Sequence, residues 1–507
     1  MNKGNDNLSD DTFFDIHLHT FDLSHPSFSA FLKRFQLFPK SKLLEVIANA
    51  TNSIYKIVAA FGIIFAAVIL LISLIFKWPL VVSLAVSILM ILALTYILIV
   101  FFKPQIMKII RRSLNISSNL LAVFENDIGS FFLIIENCLR EDRDPQNQKK
   151  KKEPHLKEDG LHIGKKIYNK LVLTPLMIDF GQKGKVPNPS YHYGEPSEKP
   201  IMGQVADVFH AVERYCQAVD KLPGGDPVWM KYPHLTQNTM RLFEVYPFLG
   251  INTQNYKLPK IQEMLQKYFG AEYNGSRNDL RQNLGEYNRH IDSEKTNFFA
   301  GIKVYPPLGF DPWPDDRRNK EELDKVKLLY DYCANKGIPI TVHGGSGGFV
   351  GIEDTKKLLE CTSVSKWETV LSNYNNLKLN IAHFPAEFED SSLSSKSDYK
   401  QENQRLNLII TLIANYPDVY TDISCRATNK EYYKHLKNVL ESSKSKTDRL
   451  ENRILFGSDY AVVIGSIDSY YDYIKLFSET GELTDGQKHA LCCINPQLFL
   501  FKQPATS

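Results

Sequence analysis

Phe13-Phe14-Asp15-Ile16-His17-Leu18-His19 is the stretch from which the fold can be read. Its apolar residues and β-branched Ile16 suit a buried strand. Side chains alternate along a strand, so His17 and His19 leave it on the same side and can bind one metal ion. Four more apolar runs further along the chain end in polar residues of the same chemistry. They are Ile302-Lys303-Val304-Tyr305, Thr341-Val342-His343, Asn380-Ile381-Ala382-His383 and Ile454-Leu455-Phe456-Gly457-Ser458-Asp459. A single strand-end histidine is usually a satisfied structural residue. Five strands in order, each delivering a ligand type or a lysine at its C-terminal end, call for a common site.

The frame around these runs repeats. Strands are predicted at 13–17, 171–177, 241–248, 299–305, 339–343, 377–383, 419–424 and 454–457. Amphipathic helical stretches fall between them, including 205–219, 320–335, 403–414 and 431–440. Eight strands alternating with helices predict an α/β fold, a (β/α)8 TIM-like barrel. Such a barrel places its chemistry at the C-terminal ends of its strands.

One region departs from this rhythm. Residues 57–76 and 80–102 are runs of 20 and 23 residues without a charge, separated only by Lys77, Trp78 and Pro79. Each is long enough, at about 30 Å, to cross a hydrocarbon core. Basic residues flank the pair, with Lys33, Arg34, Lys40, Lys42 and Lys56 before it and Lys103, Lys108, Arg111 and Arg112 after it. The expectation is a two-helix transmembrane hairpin inserted after strand one, with both termini and the catalytic domain cytoplasmic. The predicted organisation is a barrel start at 1–25, a membrane insertion at 26–145, a charged linker at 146–164 and the remaining barrel at 165–507. Within the insertion, 114–139 has apolar residues at helical spacing. This face suits lipid and the soluble domain equally.

Composition excludes some classes. The formal charge of +3 gives no sign of a nucleic-acid binder. Seven cysteines, Cys138, Cys216, Cys333, Cys361, Cys425, Cys492 and Cys493, show no CxxC spacing. They read as unpaired thiols and small core residues. The run His343-Gly-Gly-Ser-Gly-Gly348 lacks the Lys-Ser/Thr of a phosphate loop and reads as backbone brought close to a site.

The order of strand-end residues resembles the amidohydrolase superfamily. The likeness is strongest to the branch of aminocarboxymuconate semialdehyde decarboxylase. It rests on HxH at 17–19, on Gly301-Ile-Lys303-Val-Tyr-Pro-Pro-Leu-Gly-Phe310, on His343 and His383, on Ile454-Leu-Phe-Gly-Ser-Asp459-Tyr460 and on Asn495-Pro-Gln-Leu-Phe499. The resemblance implies that His17, His19, His343 and Asp459 bind a divalent metal, zinc first, with manganese or iron as alternatives and one ion expected over two. A metal there lowers the pKa of a coordinated water towards about 7. Asp459 is implied as ligand and general base. His383 is expected to polarise substrate, assist proton transfer or bind a second metal. Lys303 either orients a substrate carboxylate or, carboxylated, bridges two metals.

Weaker candidates surround this set. Arg426 is read as a clamp for an anionic group or as a salt-bridge partner. Tyr305, Trp313 and His25 are read as substrate contacts, and Asp422 and Ser424 as supports for the ligand histidines. The function expected is hydrolysis of a C–N or C–O bond in an amide, cyclic amide, lactone or ester. Non-oxidative decarboxylation and a non-catalytic membrane sensor are the alternatives. The partners expected are a small molecule, amphiphilic if the barrel mouth lies near lipid, and the bilayer itself. A homo-oligomer is compatible with the sequence.

Overall fold

The computed structural model describes residues 12–21, 25, 128–140, 155–157, 159–181, 200–217, 242–286, 297–385, 396–444 and 446–502. The chain divides into two units, residues 1–34 with 122–507 and residues 35–121. All described residues belong to the first.

All eight predicted strand stretches carry strand. β1 is Thr12–Leu18. A small antiparallel sheet follows, formed by β2 (Leu156–Lys157), β3 (Gly160–Ile163) and β4 (Lys166–Tyr168). It occupies a stretch that sequence reading had begun as linker. Buried Leu161, Ile163 and Tyr168 fasten it, and His155 stacks on Tyr471 at 4.3 Å between ring centroids. β5 (Lys170–Pro175) then pairs with β1 in parallel, Thr12 opposite Lys170.

The third predicted strand is two. β6 (Phe243–Val245) pairs with β5, and β7 (Phe248–Gly250) pairs with β8 (Gly301–Val304). The break falls at Tyr246-Pro247. Proline has no N–H to donate to a ladder, so the pairing changes partner there, and the Pro247 carbonyl accepts from Ala300 N. β9 (Ile340–Val342), β10 (Leu379–Ile381), β11 (Val419–Asp422) and β12 (Ile454–Leu455) continue in parallel. Just past β12, backbone hydrogen bonds return to β1: Ile16 N to Phe456 O at 3.2 Å and Asp459 N to His17 O at 2.6 Å. Strands buried on both faces explain the continuous apolar runs, because parallel strands in α/β proteins are covered on each side. β1, β8, β9, β10, β11 and β12 are buried at every position.

Helices Ile201–Gln217, Lys320–Lys336, Lys396–Asn415 and Lys430–Ser443 occupy the four predicted stretches. Helix Ile128–Arg140 resolves the ambiguity over the amphipathic face at 114–139 for its described part. Phe131, Phe132, Ile135 and Leu139 are buried against protein. Phe131 packs on Tyr460 and Phe132 on Tyr215, with ring centroids 5.6 and 5.7 Å apart. The Tyr215 hydroxyl donates to Glu136 at 2.6 Å and accepts from Phe243 N at 3.1 Å, tying this helix to β6.

The two-span localisation requires correction. Among the described residues no helix is long and apolar enough to cross a membrane. Helix 128–140 packs its apolar face on protein, with Phe132 against Tyr215 of helix 201–217. The runs 57–76 and 80–102 that motivated the hairpin lie outside the described residues. The membrane-anchored, cytoplasm-facing placement is therefore not carried forward.

Two tests follow from the packing. Phe132→Ala should cost about 3–5 kcal/mol in urea unfolding, because the ring is fully buried between helix 128–140 and helix 201–217. The second concerns Asp179, which accepts from Asn252 N, Asn255 Nδ2 and Gly181 N. Burial raises its carboxyl to about 6 against an ordinary 3.8, even though those donors favour the charged form. The folded state thus holds the proton more tightly than the unfolded chain. The resulting stabilisation is full below the unfolded value and is lost as pH rises through about 6. Measured against Asp179→Asn, which does not titrate there, wild-type unfolding free energy should fall by roughly 1–3 kcal/mol between the two limits.

Candidate metal centre and active site

β1 delivers the first two ligands as its alternation requires. His17 and His19 are buried, and their rings meet edge to face at 5.2 Å. Both have their Nδ1 atoms engaged. His19 Nδ1 donates to the Leu176 carbonyl at 2.9 Å. His17 Nδ1 donates to Asp422 Oδ2 at 2.9 Å, with Ser424 Oγ at 3.1 Å. A carbonyl or carboxylate oxygen can only accept, so each ring carries its proton on Nδ1. Both Nε2 atoms then carry the lone pair that could bind a metal, and they face Asp459 Oδ1 at 3.7 and 3.3 Å. The three ligand atoms lie within 4.8 Å of one another. Neutral imidazoles and a carboxylate suit zinc, so the residues present fit the metal that the resemblance implies. Gly457 allows this approach, since a Cβ on it would stand 2.6 Å from His17 Cβ.

Asp422 governs the opposite side. Buried at the end of β11, it accepts from His17 Nδ1, Asn380 Nδ2 (2.7 Å), His383 N and Ser424 N (3.1 Å each), and the Ser424 hydroxyl. Burial alone would raise its pKa. His17 and the donors from Ser424 and Asn380 outweigh burial and hold the group ionised well below the usual carboxylate range. Its expected supporting part, with Ser424, has this geometry.

His343 and His383 form a second pair. His383 Nδ1 donates to Ser424 O at 3.1 Å, and His343 Nε2 donates to Gly347 O at 3.0 Å. The other two nitrogens, His343 Nδ1 and His383 Nε2, then meet 3.0 Å apart. In two neutral rings both would present lone pairs, so the contact asks for a proton or a cation. Burial, followed by neighbouring positive groups, pushes both histidines far below their ordinary pKa. That disfavours the proton. His343, expected as a ligand beside His17 and His19, lines the cavity with His19 and Asp459 and touches His383. Tyr305 stacks on His343 at 4.4 Å.

Lys303 points Nζ at His17 Nε2 from 3.5 Å and is buried, which lowers its pKa to about 8 despite Asp422 and Asp459. A cavity of about 210 Å³ opens over this group. His19, Tyr305, His343, His383, Arg426 and Asp459 line it, together with the glycines of the 345–348 loop, Phe349, Cys425 and Val462. Arg426 borders the cavity and pairs with Glu402 at 3.1 Å.

Two further candidates have their described contacts elsewhere. Trp313 does not line the cavity; its ring lies under Lys327 of helix 320–336. His25 is buried against Asp207 at 2.9 Å and is likewise absent from the lining. Loop residues can be assigned to the catalytic side from sequence, but their direction depends on packing. Cys425 was the opposite failure. Read as a core thiol, it lines the cavity in left-handed backbone at φ 62°. Its only sequence signal was its position just past strand seven, between Ser424 and Arg426.

Asp422→Asn keeps the shape of the support and removes its charge. Zinc affinity, measured by competition with a chelating dye, should fall about 10–100-fold, as for other partners that orient metal-binding histidines.

The model of the family described as amidohydrolase matches residues 286–501. No curated protein matches the chain. Solved structures similar to it include a probable 2-pyrone-4,6-dicarboxylic acid hydrolase from Acinetobacter baumannii with citric acid bound. It is 11% identical with a TM-score of 0.34, covering 66% of this chain and 84% of that one. An amidohydrolase from Burkholderia multivorans with bound zinc is 13% identical with a TM-score of 0.31, covering 59% and 91%. Dihydroorotase from Campylobacter jejuni is 12% identical with a TM-score of 0.28, covering 55% and 70%. Over residues 286–501, which carry Lys303, His343, His383, Asp422 and Asp459, the chain is matched to the amidohydrolase family.

Proposed function

We propose that this protein is a metal-dependent hydrolase that cleaves a C–N or C–O bond in a small molecule. The carrying observation is the triad of His17, His19 and Asp459, whose histidines are held in the tautomer that turns both Nε2 atoms towards the carboxylate. The eight strand stretches, with β1 bonded to the chain just past β12, support reading the fold as a closed (β/α)8 barrel. The motifs at 301–310 and 454–460 support the aminocarboxymuconate semialdehyde decarboxylase branch within the superfamily.

His17, His19 and Asp459 would hold the metal, with zinc the first choice for this donor set. Bound there, the metal supplies a Lewis acid and a water acidified to near neutral pH. The remaining work belongs to side chains. Asp459, in a site closed to bulk water on the β1 side, accepts the proton released by the attacking water and returns it to the leaving nitrogen or oxygen. Tyr305 and His343 form one wall of the cavity, and Arg426 stands at another with a planar fork suited to a substrate carboxylate. Lys303, its charge made costly by burial, assists by donating to an oxygen that becomes negative during the reaction. The amide, cyclic amide, lactone and ester classes all meet these requirements.

The test combines metal and turnover. Chelator treatment should abolish hydrolysis in a screen of lactones, cyclic imides, amides and esters, and zinc should restore it. His17→Ala/His19→Ala should lose about one equivalent of metal and all turnover, while circular dichroism stays that of the wild type. Carbon dioxide release without hydrolysis would replace this reading by a decarboxylase. Turnover surviving in the double variant would remove the metal from the reaction.

A further inference from the structure

The metal-dependent reading uses His17, His19 and Asp459. It leaves unexplained why a thiol stands in the same cavity. We propose that Cys425 is a metal ligand, forming with His383 and Asp459 a second, thiolate-containing seat for a divalent cation. This rests on the hydrolase reading only in sharing Asp459.

Convergence is the first argument. One ligand atom from each of His383, Cys425 and Asp459 lies within 4.8 Å of the others, as close a grouping as that of His17, His19 and Asp459. The three come from successive strands, past the ends of β10, β11 and β12. A carboxylate has two oxygens, so Asp459 can serve both seats.

Backbone conformation is the second. Four non-glycine residues among those described have positive φ, and three of them are His383 (64°), Cys425 (62°) and Asp459 (57°). Such backbone is strained for a non-glycine residue, and strain of this kind persists where surrounding structure enforces it. A cysteine, unlike asparagine or aspartate, has no local hydrogen bond that favours this region. Cys333, Cys361, Cys492 and Cys493 are buried in ordinary backbone, whereas Cys425 is half-buried on the cavity wall.

The third argument is the contact between His343 and His383. With their outer nitrogens donating to Gly347 O and Ser424 O, the inner nitrogens face each other at 3.0 Å and call for a positive charge between or beside them. A cation bound by His383 supplies one. The donor set then decides which cation. Sulfur, imidazole nitrogen and one carboxylate oxygen favour zinc and other thiophilic ions and select against magnesium and calcium. On binding, the thiol gives its proton to bulk water as the sulfur–metal bond forms. This seat needs no carboxylated Lys303.

Cobalt(II) is the probe, because a thiolate ligand produces an intense sulfur-to-cobalt charge-transfer band in the near ultraviolet. Metal-stripped full-length protein is titrated with cobalt, and bound metal is measured by elemental analysis. Wild type should take up about two cobalt ions per chain and develop the band. Cys425→Ser should lose the band and about one equivalent while keeping the other ion. Cys425→Ala provides the same comparison if the serine variant fails to fold. Cobalt uptake by wild type without the band overturns this proposal and leaves the hydrolase reading standing, and so does a band that survives in Cys425→Ser. No cobalt uptake by wild type overturns both.

Discussion

The buried carboxylate of Asp422 is the group on which the site depends. It gathers donors from three strands: the His17 ring from β1, Asn380 and the His383 backbone from β10 and just beyond, and Ser424 beside it. A charge without water around it costs several kcal/mol, and only a full set of charge-assisted hydrogen bonds offsets that cost. Moving any one donor would leave the carboxylate short. The requirement fixes β1, β10 and β11 relative to one another and, through them, the positions of both histidine pairs. Ser424 adds a second link, placing its hydroxyl near the Nδ1 atoms of both His17 and His383.

Outside this centre the fold is ordinary packing. The strands are short, two to seven residues, and hold together because aromatic rings fill the layers around them. Phe13, Tyr473 and Phe477 pack tilted or edge-on around Phe456, with centroids 4.6–5.9 Å from it. Helix 128–140 adds Phe131 to Tyr460, next to Asp459. A segment far from the ligands in sequence thus sets one wall behind them. Its burial also shows why an amphipathic pattern does not name its partner: Phe132 and Ile135 need an apolar surface, and periodicity carries no information on whether that surface is protein or lipid.

How much of this was legible follows from the range of the forces involved. Strand alternation is local, so the shared direction of His17 and His19 could be read directly. So could the apolar runs ending at His343, His383 and Asp459. The split of the third strand could have been read from Pro247, a residue that cannot donate. The contact of His343 with His383 could not, because it depends on Gly347 and Ser424 carbonyls that arrive by tertiary folding. The contacts of Trp313 with Lys327 and of His25 with Asp207 were hidden for the same reason. Cys425 was hidden because a thiol reads as apolar. Its left-handed backbone and its half-buried place on the cavity wall separate it from the buried cysteines.

The three left-handed positions also have an evolutionary consequence. Glycine adopts that backbone without steric cost, so a side chain at each of these places, Cys425 above all, is the chemically useful and sterically costlier choice. A descendant released from selection for turnover gains stability by drifting to glycine at any of them. Related sequences with glycine at 383, 425 or 459 would then mark lineages that kept the scaffold and abandoned its chemistry. Sequences that retain a ligand type at all three are still bearing the strain for a reason.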